Sequence, residues 1–78
     1  MSPSEVRALV AEVLGIDPTE VSDALAFGER PEWDSLNHVN LMLALEERLG
    51  VEIGAEQMVE LASVSAIEQF AGAPHTEA

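Results

Sequence analysis

Apolar side chains recur along this chain at spacings of three and four, the mark of helices that bury one face. Val6, Leu9, Val10, Val13 and Leu14 form the first such stripe. Ser2 and Glu5 ahead of it make a capping box, and Pro3 suits a first helical position. Gly15 and Pro18 then end the run, so the pattern predicts a helix over residues 3–14. A second apolar run follows Asp34 or Ser35 as N-cap and continues to about Leu49, with Gly50 as its stop. Gly54-Ala55-Glu56 opens a short third helix reaching about Leu61. Ser63 caps a fourth over residues 64–71, with Val64, Ile67 and Phe70 turned inward.

Residues 16–33 form a long connection containing Pro18, Gly28 and Pro31. Ile16, Val21, Leu25 and Phe27 are spaced to tuck into a core, and Trp33 is placed to pack beside the next helix start. A connection of that length in a small domain is usually functional or carries a short helical turn. No segment alternates at period two. The expected fold is all-α: a four-helix bundle of three main helices and one short one, with the long loop between helices one and two. Residues 1–72 are expected to form the domain, and residues 73–78 a flexible C-terminal tail.

The second helix carries more apolar surface than one core face needs. Leu41, Met42, Leu45 and Leu49 fall within an arc of about 100°, enough to face the core. Leu36, Val39 and Leu43 make a second stripe pointing elsewhere, flanked by Asn40, Glu46 and Glu47. An apolar strip rimmed by acids suits a partner-binding surface. The competing account is that the third helix or the long loop covers it.

Charge narrows the partners. The 78 residues include fifteen acids and only Arg7, Arg30 and Arg48 as strong bases, for a net charge of −12. Phosphate neutralisation of a nucleic acid is thereby close to excluded, and an anionic membrane would repel the chain. Fast encounter with basic protein patches is favoured. With 47% apolar residues the chain should fold, although a domain this small buries only about 60% of its unfolded surface. There is no cysteine, so any thiol chemistry needs an imported thiol. No segment reads as a signal peptide or membrane span, and a cytoplasmic protein is expected.

Asp34, Ser35 and His38 contain the residue types of a hydrolase triad, but their setting argues against one. A nucleophilic serine usually stands on a tight Gly-flanked turn between strand and helix, and Trp33-Asp34-Ser35-Leu36-Asn37 has neither glycine nor strand. His38 is expected to hydrogen-bond Asp34 or a loop carbonyl. A metal site is poorly supported, because the other histidine, His75, lies in the tail.

Asp34-Ser35-Leu36, heading an apolar helix that ends Ala44-Leu45-Glu46-Glu47-Arg48-Leu49-Gly50, resembles the acyl carrier protein family. The likeness spans nearly the whole chain, from the capped first helix to Ser63-Val64. It implies that a phosphopantetheinyl transferase moves 4′-phosphopantetheine from coenzyme A onto Ser35, with Asp34 and Leu36 completing the motif. It implies no catalysis by the chain itself. The arm would end in a thiol that carries acyl groups as thioesters, which fits a chain without cysteine. The resemblance further implies that Val39, Leu43, Glu46 and Glu47 meet basic docking patches of acyl-loading and acyl-processing enzymes, with the carrier monomeric.

Carriers of fatty acid synthesis typically have acids where this chain has Asn37 and Asn40. The run Trp33-Asp34-Ser35-Leu36-Asn37-His38 is more similar to discrete carriers of specialised, polyketide-like pathways. A peptidyl or aminoacyl carrier, and a non-carrier acidic helical adaptor, stand as alternatives.

Overall fold

Each apolar stripe becomes a helix in the computed structural model, which describes residues 1–72. The expected tail over 73–78 lies outside the described residues. The helices are α1 (Pro3–Leu14), α2 (Ser35–Leu49), α3 (Ala55–Glu60) and α4 (Val64–Gly72). A 3₁₀ turn, Pro18–Glu20, interrupts the long connection, started by the Asp17 carboxylate accepting the Thr19 N–H at 2.9 Å. Among the described residues the only β pairing is an isolated bridge between Ala26 and Ser63, which seats the end of that connection against the start of α4.

The helix ends follow from local chemistry. The Ser2 N–H donates to the Glu5 carboxylate at 2.8 Å while the Glu5 N–H donates to Ser2 Oγ at 3.2 Å, so both halves of the capping box form. Ser63 Oγ accepts the Ala66 N–H at 3.1 Å and caps α4. Gly15 and Gly50 close α1 and α2 in the left-handed region, at φ 71° and 67°, where a side chain would strain the backbone.

α1 packs against both α2 and α4 and so lies at the centre of the bundle. Val6 and Val10 of α1, Leu41 and Leu45 of α2, and Val64 and Ile67 of α4 are fully buried around Trp33. Each such side chain contributes about 1.5–3 kcal/mol by leaving water. Val21 and Leu25 reach the core from the connection, as their spacing predicts.

Phe27 does not: it remains 41% exposed. Its ring stands edge-on to the His38 imidazole at 5.2 Å, so one side packs while the other faces solvent. α3 is the most weakly seated helix, with none of its side chains fully buried.

Arg7 bridges the connection to α4, pairing with Asp23 at 3.2 Å and Glu68 at 3.0 Å. Arg30 likewise joins Glu20 and Glu32. Two of the three arginines are thus engaged by acids, which leaves the rest of the surface strongly negative.

Candidate functional site

The site is built where the long connection meets α2. Asp34 is the N-cap: its carboxylate accepts the Asn37 N–H at 2.9 Å. Ser35 is therefore the first residue of α2 rather than its cap. It is exposed, and among the described residues its side chain makes no hydrogen bond. A hydroxyl in this position is open to reagents and lies at the positive end of the helix dipole, where a phosphate is favoured.

Two straps hold the connection against the first turn of α2. The Asn37 side-chain amide donates to the Glu32 carbonyl at 2.8 Å. Behind it, the Trp33 indole N–H donates to His38 Nδ1 at 3.0 Å. An indole nitrogen only donates, so Nδ1 is unprotonated; Nε2 carries the proton and gives it to the Met58 carbonyl, 2.8 Å away. His38 thus bonds a carbonyl of α3 and an indole rather than the Asp34 carboxylate, which is occupied by its capping bond. This arrangement gives the ring no serine to activate and argues further against a hydrolase. Beside Asn37, the Arg30 guanidinium hydrogen-bonds Glu32 and holds that carboxyl below the usual range.

The second apolar stripe of α2 is uncovered. Leu36 is 70% exposed, Leu43 56% and Val39 41%, and Val59 of α3 adds a further exposed side chain at 76%. Neither α3 nor the long connection shields them. The two acids of the predicted interface differ. Glu47 is exposed, whereas Glu46 is half-buried and accepts the Ile53 N–H at 2.7 Å. One turn beyond Ser35, an apolar pocket of about 250 Å³ opens between Phe27, His38, Val59 and Ala62.

A family model described as "Phosphopantetheine attachment site" matches residues 4–71 of this chain. The chain belongs to the acyl carrier protein family. It is 41% identical over 66 residues to the acyl carrier protein of Thermosynechococcus vestitus, covering 85% of this chain and 82% of that relative. Acyl carrier proteins of two Helicobacter pylori strains, G27 and HPAG1, are each 35% identical over 66 residues, covering 85% of both chains. The chain is accordingly a carrier and not an enzyme, and its cofactor is covalently attached 4′-phosphopantetheine. Membership brings a phosphopantetheinyl transferase and acyl-processing enzymes as its general class of partner.

The exposed hydroxyl at a helix N-terminus fits such a group without rearrangement. Among the described residues no helix is long and apolar enough to cross a membrane.

Sequence reasoning placed Ser35 at the start of this helix and the second stripe outside the core; it left the cap open between Asp34 and Ser35, and the structure assigns it to Asp34. It missed the Asn37 strap, the indole–imidazole–carbonyl chain, the Glu46 bond to Ile53 and the pocket. Trp33 and His38 flanking the motif were the available signal, but their partners depend on how the helices are rotated.

Proposed function

We propose that Ser35 Oγ is the attachment atom, and that α2 presents it beside a docking face made of Leu36, Val39 and Leu43 with Glu47 and the outer edge of Glu46. The observation that carries this reading is an exposed serine at the first position of α2, held by the Asp34 cap, next to an apolar stripe left open to solvent. Asp34 fixes where the helix begins and hence where the hydroxyl points. The stripe offers apolar anchors, while Glu47 supplies charge for a basic patch on a transferase or an acyl-processing enzyme. When bound, the phosphopantetheine arm supplies a terminal thiol that carries acyl groups as thioesters. The first turn of α2 has no acid beyond its cap, with Asn37 and Asn40 in the places discussed above. This supports a carrier of a specialised, polyketide-like pathway; that it acts in the cytoplasm as a monomer is part of the same proposal and rests on the family resemblance alone.

The test is intact-protein mass after incubation with coenzyme A and a broad-specificity phosphopantetheinyl transferase. Wild type should gain one phosphopantetheine and Ser35→Ala none. A gain that persists in Ser35→Ala would move the attachment elsewhere. No gain in either, with a known carrier modified in parallel, would favour the adaptor reading.

A further inference from the structure

α3 is suspended between two fastened ends. Before it, Ile53 is buried, and its N–H is held by Glu46 at 2.7 Å. After it, Leu61 is buried, and the Ala62 carbonyl accepts the Phe27 N–H at 2.9 Å. Between these points α3 begins at Gly54 without a side-chain cap. The Met58 and Leu61 amides donate only within the helix region, to Gly54 and Gln57. Met58 is partly buried against the core. One hydrogen bond among the described residues crosses from the body of α3 to another helix: His38 Nε2 to the Met58 carbonyl.

His38 suits this task because both ring nitrogens are committed. Nδ1 is occupied by the Trp33 indole and Nε2 by Met58, and the residue as a whole is only 8% exposed. The imidazole therefore shows carbon to the pocket it lines with Phe27, Val59 and Ala62. Val59 belongs to α3 and Ala62 lies just beyond it, so the position of α3 sets the width of that pocket.

We infer that His38 is a positioning residue that latches α3 over the apolar pocket, and that releasing its bond to Met58 lets α3 open while the rest of the bundle stays folded. Opening then hinges at Gly54 and Leu61, next to the fastened ends. Elements with little buried surface are the ones that open locally in folded proteins. The inference does not depend on the role given to Ser35.

Two substitutions divide the ring's duties. In His38→Asn the short amide can still accept the Trp33 indole N–H but falls short of Met58. In His38→Gln the longer amide can reach the Met58 carbonyl with its N–H. Amide hydrogen exchange on the full chain should show Met58 and Leu61 exchanging roughly tenfold faster in His38→Asn, with α1 and α4 amides unchanged. His38→Gln should keep α3 near wild type. Equal loss in both variants, or loss spread over all helices, would overturn the latch and leave His38 a core residue only. Should His38→Asn fail to fold, wild type alone decides. Denaturant-independent exchange of the α3 amides at the same opening rate as the His38 Nε2 proton supports the latch; exchange only through global unfolding, or local opening that leaves that proton protected, sinks it.

Discussion

Glu46 and Glu47 are neighbours in sequence with different duties: Glu46 accepts the Ile53 N–H at 2.7 Å, while Glu47 faces solvent. Glu46→Ala should cost about 1 kcal/mol or more by leaving that N–H without its acceptor. Glu47→Ala should change stability by no more than about 0.5 kcal/mol. Glu46→Gln, which keeps an acceptor, should fall between them. For association with a partner enzyme the ranking reverses. Glu47→Ala should slow the on-rate at low ionic strength and lose its effect as salt is added. Urea unfolding with stopped-flow binding checks both halves, and equal destabilisation by the two alanines would refute the division.

Trp33→Phe isolates the indole donor. The substitution leaves His38 Nδ1 buried without its partner and opens space in the core where Trp33 is fully enclosed. A loss of about 2 kcal/mol or more is expected in chemical denaturation. A domain of this size has about 0.05–0.15 kcal/mol per residue in hand, so the midpoint should move visibly. An unchanged midpoint would mean that the indole bond contributes nothing.

Asn37→Asp tests the strap to Glu32. An aspartate gains a favourable place in the first turn of α2, at about 0.3–1 kcal/mol, but it turns a donor into an acceptor facing a carbonyl. The loss should win, giving net destabilisation of about 1 kcal/mol. An acid here also restores the pattern typical of fatty-acid carriers. If the aspartate variant is more stable than wild type, the strap is not what the position requires.

The acid response has two parts of opposite sign. Glu5 and Asp17 are held below the usual carboxylate range by the N–H groups of Ser2 and Thr19, and Glu32 is held low by the Arg30 side chain. Their contribution is complete above the ordinary values of about 4 and fades as pH falls through the lowered ones. Glu68 is raised, first by burial and then by the Asp23 carboxylate beside it, with Arg7 opposing. Its contribution is complete below the ordinary value and is lost as pH rises through the raised one. Glu68→Gln should therefore flatten the stability profile on the high-pH side while leaving the acid side intact. Urea midpoints across the carboxylate range decide, and a profile parallel to wild type would remove Glu68 from the account.

Helix ends were legible from the chain because their determinants are local. The Ser2 and Glu5 box, the glycines at 15 and 50, and Ser63 each act within a few residues of the terminus they define. That α2 begins at Asp34-Ser35 was legible for the same reason, though which of the two is the cap was not, and the stripe of Leu36, Val39 and Leu43 was legible from periodicity. What stayed hidden joins distant positions. His38 finds Met58 twenty residues away, and Glu46 finds Ile53 across the turn after α2. Those pairings depend on helix rotation, which periodicity alone does not fix. Phe27 was misplaced because its spacing resembles that of Val21 and Leu25, whereas its ring meets the imidazole edge-on at the surface.

The open side of α2 has one more consequence. Leu36 and Leu43 are mostly exposed, while Leu41 and Leu45 are fully enclosed on the opposite side. Exchanges among the former leave the folded state nearly as stable as before, since exposed substitutions seldom exceed about 0.5 kcal/mol. Exchanges among the latter endanger it. If the open side is the docking face proposed above, a lineage of such proteins is free to drift in what it recognises while its architecture stands still, because one helix then assigns the two properties to opposite sides.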